Sequence, residues 1–162
     1  MEGANAAFSS NGLGNFYDEL AVDRVQAAFE AQNRDTLIYS GRLRQQNLYH
    51  TTRIVAATPN CLSSHVRRIF LSIECNDRPA LIGALVDLFL VLKGRGRVLF
   101  ERLLQQSSAV LGRRLMGTMK RTFLGDDVQR VMRLPLDHSV LVNGRTGTIY
   151  QFKSFSIANS FR

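Results

Sequence analysis

Residues 78–100, RPALIGALVDLFLVLKGRGRVLF, carry the reading of the fold. Leu81, Ile82, Leu85, Leu88, Phe89 and Leu92 surround a helical wheel almost completely. A helix that is apolar on every side is a buried one. The pattern therefore predicts a central helix over about 78–93, with Asp77 as its cap and Pro79 in the first turn, where a missing N–H is harmless. The unbroken stretch 79–92 is too short to span a bilayer and contains Asp87. A charge placed there needs a partner, and an arginine from a neighbouring helix is the expected one.

The helix stops at Gly94-Arg95-Gly96-Arg97. A dinucleotide fingerprint needs a third glycine three residues on, after a strand; position 99 is Leu99 and the preceding segment reads as a helix. A P-loop needs Gly-Lys-Ser/Thr, which is absent. Two readings are left. In one the stretch is only a corner between two helices, with Gly94 past the helix end and Lys93 at its negative pole. In the other its arginines also contact an anion. Residues 93–121 hold eight bases and one acid, Glu101. Arg95, Arg97, Arg102, Arg113, Arg114 and Arg121 are the candidate nucleic-acid or anion contacts, since guanidinium groups grip phosphate bidentately.

Working outward, Asn15 resembles a helix cap, and Val22, Val25 and Phe29 follow at helical spacing, predicting a helix over about 16–34. Residues 1–14 read as a flexible arm. Residues 36–60 are ambiguous: Leu43, Leu48, Tyr49, Thr52 and Ile54 allow a helix over 42–56, whereas the β-branched residues near 51–55 allow an extended end. Val66, Ile69, Phe70 and Ile73 predict a helix capped by Ser63 or Ser64, with Arg67 and Arg68 on its opposite face. After the corner, Phe100, Leu103, Leu104, Leu111 and Leu115 form one stripe over about 97–120. A short helix around Val128 and Val131 then ends at Pro135.

Residues 139–157, SVLVNGRTGTIYQFKSFSI, are rich in β-branched and aromatic residues, and Asn143-Gly144 is a strong hairpin signal. The expected fold is a mainly α bundle of four to five helices with a C-terminal β-hairpin, α+β by strict count. It divides into an arm (1–14), a helical domain (15–135) and a hairpin extension (136–162). Asn143, Gly144, Tyr150 and Phe152 are the expected partner contacts, through edge pairing of the hairpin.

The 162-residue chain is long enough for one domain with a real core. Its net charge is +8, and 18 of its 21 basic residues are arginine. Residues 1–35 carry a net −4 and residues 36–162 a net +12. Such polarity suits head-to-tail stacking of copies or docking on an acidic surface. Two cysteines and no signal-like N-terminus lead to the expectation of a soluble protein, cytoplasmic or inside a virion or other intracellular assembly. His50, Cys61, His65 and Cys75 lack zinc-site spacing. Asp137-His138-Ser139 are merely adjacent, which is not how a triad is built. Tyr39, Tyr49, Tyr150, Phe152 and Phe155 could stack on bases if exposed, although packing is the commoner fate.

The rhythm of residues 78–102, a Pro-led apolar helix followed by closely spaced arginines, resembles the central part of rod-shaped plant-virus coat proteins. That resemblance covers about one sixth of the chain and implies arginines that meet RNA. No enzyme activity, metal, cofactor or small-molecule substrate is expected. The expected role is a structural subunit of a larger assembly, virion- or ribonucleoprotein-like. Its partners would be other copies of itself or other protein subunits, with RNA or DNA or an acidic neighbour on the arginine-rich surface. The alternatives are an adaptor in a protein-only machine and a free-standing nucleic-acid-binding regulator.

Overall fold

The computed structural model describes residues 11–33, 36–125, 128–131 and 133–143. Among them are eight helices and no strand: α1 (Asn11–Gln32), α2 (Arg44–Ala57), α3 (Leu62–Glu74), α4 (Arg78–Leu92), α5 (Arg97–Gln106), α6 (Ser108–Leu124), α7 (Val128–Val131) and α8 (Val140–Asn143). Consecutive helices pack on one another from α1 to α4, α5 and α6 pair as a hairpin, and α8 returns to lie against α4 and α2. No described helix is long and apolar enough to cross a membrane.

α4 is the central helix, as its sequence predicts. Every residue from Ala80 to Phe89 is buried, Asp87 included. Asp77 caps it by accepting from the Ala80 amide at 3.0 Å. Its leucines meet Ile69 of α3 and Phe100, Leu104, Leu111 and Met119 of the α5–α6 hairpin. Phe89, Phe100 and Phe123 close the corner, with the Phe100 and Phe123 rings 4.6 Å apart and steeply inclined.

Residues 44–57 are helical, which resolves the ambiguous segment. The Thr52 hydroxyl donates to the Leu48 carbonyl at 2.7 Å, an i−4 bond that keeps a β-branched residue within a helix. α1 begins at Asn11, ahead of the expected Asn15 cap, so part of the expected arm is helical; residues 1–10 lie outside the described residues.

Three expectations need correction. First, Arg67 and Arg68 do not face solvent. α3 is sandwiched between α2 and α4, so both of its sides are covered and both arginines are buried. Second, the stripe over 97–120 is not one helix. It breaks at Ser107 and again at Gly112 (φ 75°, ψ 162°), a conformation open essentially to glycine alone. Arg78 fills the second break, donating to the Val110 and Leu111 carbonyls that lose their helical partners there.

Third, the C-terminal β-hairpin is overturned. Val140–Asn143, meant to form its first arm, is the helical turn α8, and the fold is mainly α rather than α+β. A ring of acceptors explains this choice. The Asp87 carboxylate accepts from the Val140 amide at 2.9 Å and the Leu141 amide at 3.1 Å, and Ser139 Oγ accepts from the Val142 amide at 3.2 Å. These are the amides that a helix start leaves unpaired. Buried partners for them outweigh the β preference of Val140 and Val142, which is weak and dependent on context. Gly83 admits this segment: a Cβ there would lie 2.3 Å from the His138 carbonyl oxygen. The rest of the expected hairpin, including Gly144, Tyr150 and Phe152, lies outside the described residues.

Candidate functional site

The 93–96 corner is built by three left-handed residues. Lys93 has φ 48°, Gly94 φ 76° and Gly96 φ 66°. The Lys93 amide donates to the Phe89 carbonyl at 3.2 Å and the Arg95 amide to that of Leu92 at 2.9 Å, so α4 ends in hydrogen-bonded turns. Gly96 opens α5, its carbonyl accepting from the Phe100 amide at 3.0 Å. A side chain at Gly96 would press on Leu92. The glycines are thus accounted for by the corner itself.

The corner leaves Arg95 and Arg97 exposed. Between them and the rings of Phe89, Phe100 and Phe123 lies a shallow hollow of about 110 Å³, also lined by Leu124. Arg97 bonds Glu101 one turn along α5 at 3.1 Å, an exposed i,i+4 pair of small energetic weight. Arg121, one turn before Leu124, is exposed at this end of the hairpin, and its Nε donates to the Gly117 carbonyl at 3.3 Å. Arg113 and Arg114 stand just past the Gly112 break, about 15 Å of helix away from Phe123. Arg102 lies between, on α5. The six candidate arginines therefore do not converge on a point: Arg95, Arg97 and Arg121 lie toward the end of the hairpin where Phe100 meets Phe123, and Arg113 and Arg114 toward the other.

Sequence reasoning missed which arginines are structural. Arg68 Nη1 meets Asp87 Oδ2 at 2.5 Å with both side chains buried, and Arg68 Nη2 donates to the His138 carbonyl at 2.7 Å. The expectation that an arginine of a neighbouring helix partners Asp87 is met, by an arginine on the face of α3 opposite its apolar stripe. Arg67 donates to the Ala31 carbonyl at 2.9 Å and to the Thr36 carbonyl, tying α1's end to α3. A signal was present: His65, Arg68 and Ser72 form a second stripe at i, i+3 and i+7, and all three are buried. By contrast Arg95, Arg102, Arg113 and Arg114 are exposed, with no side-chain hydrogen bond or ion pair among the described residues.

Other candidates resolve into structure. The Ser139 hydroxyl donates to Asp87 Oδ1 at 2.5 Å while capping α8, so it is held in the core. The Tyr39 hydroxyl donates to Glu30 at 2.5 Å, which lowers the Glu30 pKa. Burial pushes the Cys75 thiol up to about 11 and holds the His65 imidazole below its ordinary value. No cluster of three or more His, Cys, Asp or Glu residues suited to a metal ion occurs among the described residues. A cleft of about 340 Å³ opens between α1, α2 and α3, lined in part by Gln32, Thr51, Ser63, Ser64 and Arg67; among the described residues its lining holds no carboxylate, histidine or cysteine. Asn143 ends α8, while Gly144, Tyr150 and Phe152 cannot be placed relative to it because they lie outside the described residues. No known family matches the sequence, and no characterised protein or solved structure was found to be similar to it, so the likeness of 78–102 to rod-shaped coat proteins rests on those residues alone.

Proposed function

We propose that this chain is a non-enzymatic structural subunit of a larger assembly, and that the exposed arginines of the corner, α5 and α6 hold the backbone of a nucleic acid. The observation that carries this reading is the division of the arginines into two classes. Arg67, Arg68 and Arg78 are tied into the fold, whereas Arg95, Arg102, Arg113 and Arg114 stand exposed without side-chain partners among the described residues. Arginines spread along the corner and the hairpin suit a polyanion better than a single phosphate. At 3.4 Å per strand phosphate, 15 Å spans about four of them. The arginines position the backbone without reading its sequence, because base-edge contacts are what specify.

Fluorescence anisotropy with a labelled single-stranded oligonucleotide tests this. With four phosphate contacts, affinity should fall about 50-fold between 50 and 200 mM salt. The variant Arg95→Gln/Arg102→Gln/Arg113→Gln/Arg114→Gln should lose most of that salt slope. Equal binding at both salt concentrations, or an unchanged slope in the variant, would overturn the reading in favour of an acidic protein neighbour.

A further inference from the structure

α1 presents a second unexplained surface. Val22, Val25 and Phe29 recur at helical spacing, yet they are 63%, 57% and 72% exposed. The helix packs on α2 through its small residues instead, Ala27 and Ala31 being buried. A Phe and two Val in a row on water form a patch that calls for a cover. Glu19 and Asp23 lie one helical turn apart along one edge of this stripe. Neither forms an ion pair among the described residues. Residues 19–32 carry Glu19, Asp23 and Glu30 against Arg24, a net −2. The corner after α4 has the opposite pattern. Its hollow of about 110 Å³ is lined by Leu92, Phe100, Phe123 and Leu124, with Arg95 and Arg97 beside them. The next residue, Val98, is 65% exposed. Residues 95–102 carry Arg95, Arg97 and Arg102 against Glu101, a net +2.

We propose that these two faces bind each other between copies of the chain. Phe29 of one copy seats in the corner hollow of the next, and Glu19 and Asp23 lie against that copy's Arg95 and Arg97. Size is the first argument. A cavity of about 150 Å³ accepts a benzene ring, so an open hollow of about 110 Å³ takes the ring of one phenylalanine. Charge is the second. The pairing sets acids against arginines, whereas two α1 faces would oppose acids and two corners would oppose arginines. Exposure is the third: Phe29 and Val98 both stand in water, so the two faces do not cover each other within one chain. A nucleobase in the hollow would leave the acid-edged stripe of α1 bare, and a second copy accounts for both surfaces. Because the faces differ, the contact runs head to tail. Each copy keeps one face free, and the series stops growing only by closing into a ring. The inference rests on the subunit reading above and names the neighbour as a second copy. Arg113 and Arg114 do not line the hollow and stay open to a phosphate backbone.

The test uses the full chain, freed of nucleic acid by nuclease and high salt. Sedimentation velocity then follows it from about 1 µM to 1 mM at low ionic strength, where exposed charges are least screened. The expected result is growth with concentration beyond a dimer. Phe29→Ser removes the ring, and Arg95→Glu/Arg97→Glu reverses the rim of the hollow. Each should weaken self-association by at least about 30-fold, as loss of a dominant interface side chain does. All three side chains are exposed, so far-UV circular dichroism should match the parent. An equimolar mixture of the two variants should form a one-to-one dimer and nothing larger, because it restores a single intact contact. Glu19→Lys/Asp23→Lys/Arg95→Glu/Arg97→Glu, with both faces reversed, should assemble again. A parent chain that stays monomeric, a mixture that stays monomeric, or an Arg95→Glu/Arg97→Glu variant that still dimerises by itself would each overturn the proposal. The last would assign the α1 stripe to a symmetric pair. Phe29→Ser keeps every arginine, so its salt slope with an oligonucleotide tests the nucleic-acid reading separately.

Discussion

Replacing Asp87 by Asn tests the account of the C-terminal turn most directly. The side chain is fully buried and serves four donors: the Arg68 guanidinium, the Ser139 hydroxyl, and the Val140 and Leu141 amides. Asparagine keeps the volume and one acceptor oxygen. It removes the charge, leaving the buried Arg68 without its counter-ion, and it turns an amide NH2 toward donors. Removing one partner of a buried ion pair costs about 3–5 kcal/mol, and a chain of this length loses about 2–4 °C in Tm per kcal/mol, so the midpoint should fall by about 6–20 °C. Arg68→Met should cost less, because the remaining carboxylate keeps its three other donors. Urea unfolding followed by far-UV circular dichroism measures both, and hydrogen exchange at Val140 and Leu141 should accelerate first in Asp87→Asn. A loss below about 1 kcal/mol, within the range of an exposed pair, would refute the reasoning, as would an Arg68→Met variant less stable than Asp87→Asn.

Four further outcomes follow from particular sites. Gly83→Ala should destabilise by about 1–3 kcal/mol in denaturant titration, since its Cβ would collide with backbone atoms of His138 and Ser139 rather than with the end of a flexible side chain. Within α6, Gly112→Ala should cost about 1–3 kcal/mol because of its glycine-only geometry. Gly117→Ala, with open space around its Cβ and a helical backbone, should instead stabilise by about 0.5–1 kcal/mol. Finally, His65 bonds the Pro59 carbonyl at 2.7 Å through Nε2, which must therefore carry the hydrogen, and its buried Nδ1 has no partner among the described residues. Burial depresses its pKa, so on acidification the unfolded chain takes up the proton first, near 6.5. Its contribution to stability is therefore full above that value and is lost as pH falls through it toward the depressed folded pKa. His65→Gln should show a shallower loss between pH 7.5 and 5.5 in the same unfolding assay; an identical slope would sink the assignment.

Periodicity made α4, α3 and the corner legible because each reports a one-dimensional property: apolar residues at helical spacing, a cap, a glycine stop. Asp87's need for an arginine was legible too, since burying a charge has few solutions. The choice of Arg68 was not, because amphipathicity assumes that a helix has one wet side, and α3 has two covered ones. The same assumption misreads α1, whose Val22, Val25 and Phe29 look like a core face and are exposed. Burial there follows the close approach that Ala27 and Ala31 permit to α2, not the size of the apolar side chains.

The sequence by itself determined a mainly helical chain, the identity of its central helix, the tight corner after it and the uneven charge. Those features depend on residues near in sequence and on summed charge, which need no knowledge of neighbours. Only the tertiary structure decided that Val140–Asn143 winds into a helix, that Gly112 breaks α6, and which arginines are tied down. In each case the deciding groups come from distant parts of the chain. Asp87 offers acceptors to residues more than fifty positions away, and Arg78 takes up the carbonyls of Val110 and Leu111. A buried polar group must find a partner wherever the fold brings one, and that constraint overrides local preference.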